Sequence, residues 1–145
     1  MRAKMFGCLM LWMAGTCFGQ EAMPLCPRHI ETPLYPPIAH TANVYGKVFL
    51  TITINADGKV VYAEISSVAN SLPLLERDTI SNIRRWTFTK PPVAPYKQAI
   101  EYDYEIDSSL PVNTAAARVT FDLPDRITIV IGRTVLETDG STNKD

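Results

Sequence analysis

Residues 47–54 read KVFLTITI. Val48, Leu50, Ile52 and Ile54 alternate with Lys47, Phe49, Thr51 and Thr53, the period-2 pattern of a strand with one buried face. Asn55-Ala56-Asp57-Gly58 follows, then KVVYAEISS at 59–67. Asp-Gly between two strand patterns signals a tight hairpin turn. On the return strand Val61, Ala63 and Ile65 are expected on one face, and Val60, Tyr62 and Glu64 on the other. A hairpin patterned in this way needs other elements to cover its apolar side.

The covering element is the next segment. LPLLERDTISNIRRWTF at 72–88 places Leu75, Thr79, Ile83 and Trp86 on one face of a helix expected over 72–85, with Leu72 and Ile80 flanking them. Asn70 and Ser71 are candidate N-caps, and Pro73 is tolerated in a first turn. Glu76 near the start and Arg84 and Arg85 at the end suit the helix dipole. Trp86 falls at the end of the apolar stripe, where the chain turns onto the sheet, so it is expected in the core. A first, shorter helix of about two turns is expected from Pro36-Pro37 through Asn43, ended by Gly46.

Prolines 91, 92 and 95 interrupt the chain. QAIEYDYEID at 98–107 then alternates Ile100, Tyr102, Tyr104 and Ile106 with Glu101, Asp103, Glu105 and Asp107. One face packs, and the other is acidic and meets water. Residues 108–117 read as a polar linker, RVTFDLPDRITIVIG at 118–132 as one more hairpin, and 137–145 as a disordered tail. The order is helix, strand, strand, helix, strand, hairpin. The expected class is α+β: a small antiparallel three-stranded sheet packed by two helices, with an appended β-hairpin.

The N-terminus carries Arg2 and Lys4, then the uncharged run MFGCLMLWMAGTCF at 5–18 and Gly19. This is the layout of a secretory signal peptide over 1–19, with export to the periplasm as the expectation. The alternative is an inner-membrane anchor formed by residues 5–19, although the run is short for a spanning helix. Loss of Arg2 and Lys4 takes the 14 basic residues to 12 against 15 acidic ones, a net charge near −3. Nothing in that balance suggests a nucleic-acid binder, which needs a basic surface. Cys8 and Cys17 leave with the leader, and Cys26 remains alone in a loose arm. Residues 20–33, with Pro24, Pro27 and Pro33, read as a flexible lead-in.

Little points to catalysis, a cofactor, a metal or a small-molecule substrate. His29 and His40 are the two histidines, and Cys26-x-x-His29 is a single pair with no second half. No serine has a nucleophile-elbow context, and no glycine cluster forms a phosphate cradle.

Several spaced pieces agree in order with one family. Tyr35-Pro36 at the first helix, Gly46-Lys47-Val48 at a strand start, Asp57-Gly58-Lys59-Val60 at the hairpin and the Arg84-Arg85-Trp86-x-Phe88 junction followed by prolines resemble the C-terminal domain of TonB, the periplasmic energy transducer of Gram-negative bacteria. The resemblance covers about residues 34–106 and leaves out the hairpin at 118–131. It implies structural roles for Tyr35, Gly46, Gly58, Leu75, Ile83, Trp86 and Phe88. It departs from the family where alanines are usual in the second helix, since Asp78, Thr79 and Asn82 stand there; looser packing or partial exposure is expected. Full-length members also carry a membrane anchor and a long Pro-rich spacer, whereas the lead-in here is about 15 residues.

The resemblance implies a protein-interaction domain of 34–107, followed by linker and hairpin over 108–136. In the family, the last strand of the sheet accepts a peptide from an outer-membrane receptor by β-augmentation, in which unpaired edge N–H and C=O groups take up an added strand. The matching residues are Ala99, Ile100, Glu101, Tyr102, Asp103, Tyr104 and Glu105. Their acidic face would favour a basic or polar segment, and Arg84 and Arg85 could hold a partner carboxylate; both arginines read equally as solvated helix-end charges. The implied partner is an outer-membrane TonB-dependent receptor or another envelope protein, with homodimerisation by strand exchange also open. If the hairpin pairs with strand 98–106, that edge is occupied, and the protein is a closed scaffold or binds through the new outer strand; if it sits elsewhere or swaps between chains, the edge is free. A soluble envelope docking or assembly protein without energy transduction is the alternative.

Overall fold

The structure is a computed structural model that describes residues 23–66, 71–114 and 116–135. The leader expected at 1–19, the start of the lead-in and the tail at 137–145 lie outside the described residues. In chain order the elements are β1 (Pro27–His29), α1 (Pro37–Thr41), β2 (Gly46–Ile54), β3 (Val60–Ile65), α2 (Pro73–Ile83), β4 (Thr87–Phe88), β5 (Tyr96–Asp107), β6 (Arg118–Asp122) and β7 (Arg126–Gly132). Among them, no helix is long and apolar enough to cross a membrane.

Five strands form one sheet in the order β3-β2-β5-β7-β6, and β1 pairs with β4 in a separate two-stranded piece. The α+β class holds, but the three-stranded count is corrected. The hairpin is no appendage: β7 runs parallel to β5 from Glu101↔Arg126 to Asp107↔Gly132, and β6 runs antiparallel to β7 outside it. A bare strand edge leaves N–H and C=O groups needing partners. Here the chain itself supplies them, burying Ile127, Ile129 and Ile131 in the common core.

One face of the sheet carries that core. Val48, Leu50, Ile52 and Ile54 of β2 and Ile100, Tyr102 and Tyr104 of β5 are buried against Leu75, Ile83, Trp86 and Phe88. Trp86 is 1% exposed. Its ring centroid lies 6.3 Å from that of Phe88, 6.5 Å from Tyr102 and 6.1 Å from Phe121. It therefore fills the junction between the helix end, β5 and the outermost strand.

Several local expectations are revised. The first helix is five residues, ending before Asn43, whose φ of 49° no helix accommodates. Asn70 lies outside the described residues, and Ser71 does not cap α2; Leu72 is the cap residue, and its N–H donates to the Glu76 carboxylate at 2.7 Å. On β3 the register shifts opposite Thr53/Ile54, so Val60 turns inward and Val61 outward, reversing the expected faces at the strand's start. The hairpin turn places Gly58 at φ 82°, where a Cβ would lie 2.2 Å from the Phe88 carbonyl oxygen. No L side chain fits there without moving backbone.

The lead-in is corrected from flexible to docked, at least from Leu25 onward. Leu25 is buried, Thr89 N–H donates to the Cys26 carbonyl at 3.0 Å, and Pro27 pairs with Phe88. Cys26 itself is exposed with a free thiol. Where alanines are replaced in the second helix, Asp78 is exposed as expected, but Thr79 and Asn82 are not loosely packed. The Thr79 hydroxyl donates to the Leu75 carbonyl at 2.7 Å and sits 2.8 Å from the Tyr104 hydroxyl. Asn82 accepts from the Tyr102 hydroxyl at 2.8 Å and donates to the Glu31 carbonyl at 3.0 Å. Because polar groups buried without partners are costly, these satisfied bonds fix α2 to β5 more specifically than alanines would.

Candidate interaction edge

The residues expected to bind a partner lie on β5, and β5 is an interior strand. On one side β2 pairs with it from Gly46↔Tyr104 to Ile54↔Tyr96. On the other, β7 covers Glu101–Asp107, beginning with a 2.7 Å bond from Glu101 N–H to the Asp125 carbonyl. Above that point, Gln98 acts as a clamp. Its side-chain oxygen accepts from Leu25 N–H at 2.8 Å, and its amide donates to the Leu25 and Pro124 carbonyls, each at 3.3 Å. The lead-in and hairpin thus flank β5 over nearly its whole length. The structure places Ala99, Ile100, Glu101, Tyr102, Asp103, Tyr104 and Glu105 on one strand, and of the two arrangements left open by the sequence it has the hairpin paired with that strand, from Glu101 to Asp107.

The acidic face is also answered from within. Lys47 Nζ lies 2.7 Å from Glu101 and 3.2 Å from Asp103, and Arg126 lies 3.4 Å from Glu101. The Lys47 hydrogen bond holds the Glu101 carboxyl below the usual carboxylate range, with Arg126 adding to it. Two of the acids expected to select a basic partner therefore already face cations of their own chain. Glu105 is exposed and has no ion pair among the described residues.

Arg84 and Arg85 follow α2 and are exposed. Arg85 reaches Glu31 of the lead-in at 3.6 Å. This is a loose, exposed pair in which the arginine is occupied by the chain itself.

On the inner face, burial pushes the Tyr35 and Tyr104 hydroxyls up to about 12 and Tyr102 higher still. Each is a neutral hydrogen-bonding group: Tyr35 donates to the Val44 carbonyl at 2.7 Å, while Tyr102 and Tyr104 meet Asn82 and Thr79. They fasten the layers and carry no sign of acid–base chemistry.

The hairpin is tethered beyond its ladder. Asn43 donates to the Thr134 carbonyl and accepts from the Thr134 N–H, both at 3.0 Å, and His40 Nε2 lies 2.9 Å from the Gly132 carbonyl. His40 thus has a structural contact that its spacing in the sequence does not suggest. These bonds sit at the far end of β7 from the Gln98 clamp, so the strand is pinned at both ends.

The free hydrogen-bonding edge next to the hairpin is that of β6. Arg118, Thr120 and Asp122 are exposed, while Val119 and Phe121 pack inward on the core. The sequence names the hairpin's outer strand as one alternative for binding without singling out these five residues. A composition signal was available: RVTFD carries a charge at each end, whereas ITIVI has none, as suits an outer and an inner strand respectively.

The model of the Gram-negative bacterial TonB protein C-terminal family matches residues 31–107, more than half of the 145. The chain belongs to the TonB C-terminal family. Among solved structures it is similar to the solution NMR structure of the Pseudomonas aeruginosa TonB CTD, at 20% identity over 58% of this chain and 88% of that one, with a TM-score of 0.44. A search of curated proteins finds no match. The TonB-family match ends at Asp107, the last residue of β5, so the covering hairpin lies wholly beyond it. Residues 31–107 form a TonB-like interaction domain of the cell envelope.

Proposed function

We propose that this TonB-family domain binds a segment of an envelope protein by β-strand addition, and does so on β6 in place of β5. The observation that carries the reading is the sheet order: β5 has neighbours on both sides, and β6 has one. Strand addition needs a row of unpaired N–H and C=O groups, with alternate side chains supplying selectivity. The β6 edge supplies the row; Arg118, Thr120 and Asp122 on one face and Val119 and Phe121 on the other supply the side chains. In the fullest form of the proposal the partner is an outer-membrane TonB-dependent receptor, and binding serves transport across that membrane from the periplasm after cleavage of the leader.

Titration with receptor-derived peptides, followed by amide hydrogen exchange, tests this. Binding at β6 slows exchange at 118–122 and leaves 101–107 unchanged. Peptide-induced loss of protection in β7 together with new protection in β5 would mean that the hairpin is displaced, and the β6 reading would be abandoned.

The covered β5 edge also favours a second reading, in which the domain docks on envelope complexes without transmitting force. Cell fractionation with N-terminal sequencing separates the two. A mature Gln20 start in the soluble fraction supports docking or assembly, and a retained N-terminus in the inner membrane supports transduction.

A further inference from the structure

The β6 sequence is complementary to itself when reversed. Read antiparallel to a second copy about Thr120, Arg118 faces Asp122 of the other chain, Val119 faces Phe121, and Thr120 faces Thr120. Both charge pairs lie on the exposed face and both apolar pairs on the core face, because residues directly opposite in an antiparallel pair share a face and alternate along the strand. The centre at Thr120 works whichever alternate set of amides points outward: Thr120 then forms either a hydrogen-bonded or a non-hydrogen-bonded pair with its copy. The β6–β7 register runs without a bulge, and β6 holds no proline or lysine. Of the usual devices against edge pairing, this edge therefore lacks the bulge, the proline and the lysine, and keeps its shortness and its two terminal charges.

We infer that two copies of the chain pair through β6, antiparallel about Thr120, and join their sheets into one of ten strands. This rests on the reading of β6 as the working edge and names its resting occupant. No strand is exchanged, since each hairpin stays on its own β5. The contact is isologous, as a two-fold pair requires. Five residues a side bury an area at the low end for specific interfaces, so the dimer is weak, with a Kd of about 10 μM to 1 mM. A partner segment and the second copy compete for the same amides, so partner binding splits the dimer.

Sedimentation velocity of the full chain, from about 10 μM to about 1 mM, is the test. The wild-type protein moves from monomer to dimer across this range. R118D puts an acid opposite Asp122 at both ends of the pair and raises Kd about tenfold or more. D122R puts two bases together and does the same; circular dichroism checks its fold, because Asp122 also sits across from Arg126. In an equimolar mixture of R118D and D122R every 118–122 pair is again one acid and one base, and association returns. A flat sedimentation coefficient up to 1 mM, single variants that associate like wild type, or a mixture that fails to recover association would each overturn the inference. Peptide protection of β6 in dilute protein separates the two claims: if it persists without dimerisation, only the self-pairing is wrong.

Discussion

The two edges of the sheet are built differently. At β3 the register shift turns Val61 outward, and the start of the strand is covered by the Lys59↔Thr87 bridge and the bond from Phe88 N–H to the Gly58 carbonyl. A bulge twists an edge away from pairing, and a capped start shortens what remains. Val61 and Tyr62 are 55% and 52% exposed there, yet the backbone beside them is a poor template. At β6 no element among the described residues covers the strand, the register is regular, and the charges sit only at its ends. The bulge and the capped start keep partners from β3, whereas the regular ladder of β6 leaves its outer amides open. The hairpin beyond the family match thus moves the available edge outward by two strands rather than abolishing it.

The comparison depends first on β7 being an integral strand. Ile129 is fully buried between β5 and β6. Ile129→Ala should cost about 3–4 kcal/mol in urea denaturation; a cost below about 1 kcal/mol would mean an appended hairpin and an open β5. The protected edge can be broken at its cap. Gly58→Ala forces a Cβ against the Phe88 carbonyl at positive φ and should cost about 2–3 kcal/mol, with faster exchange at the start of β3 and no change at β6.

The tyrosines that tie the covered side together give a pH signature. Tyr35 and Tyr104 have pKa values raised by burial from 10.0 to about 12 in the folded protein. Their neutral forms therefore favour the fold fully below pH 10, and that contribution is lost as the pH rises toward 12. Thermal melts across this window should fall together with the appearance of tyrosinate absorbance. A flat melting temperature would place these rings in water.

Asn43→Gly keeps the backbone at φ 49° easy to reach and removes both bonds to Thr134. It should cost about 1–2 kcal/mol and speed exchange at the end of β7 more than at β6. The smallest effect is expected at Glu101. Its lowered pKa means that its contribution is present above pH 4.5 and fades as the pH drops through the folded value. Glu101→Gln should shift the denaturation midpoint slightly, and the shift should vanish at high salt, since the pair is partly exposed.

Much of this was legible in the residues. Periodicity located β2, β5 and α2, because long alternating or helical stripes survive small errors in register. It placed Leu75, Thr79, Ile83 and Trp86 on one face. The reversal at Val60 and Val61 was hidden, since a bulge adds one residue without changing composition. The docking of the lead-in was hidden too: Leu25 and Gln98 meet across 73 residues, and nothing local announces such a bond. The hairpin was seen but not its berth. Ten residues at 108–117 are enough to skip a strand position, and only the contrast between ITIVI and RVTFD indicates which strand lies inside. The sequence left the state of the β5 edge open for that reason, because a family's edge strand stops being an edge when the same chain supplies a neighbour.

The most direct test is residue-resolved amide exchange of the free protein at low micromolar concentration, where any self-pairing is dissociated. Slow exchange throughout 101–107 and 126–132, with fast exchange at alternate amides of 118–122, is the expected result. Fast alternate exchange along 101–107 would mean that β5 is the open edge, and the account of β6 would be wrong.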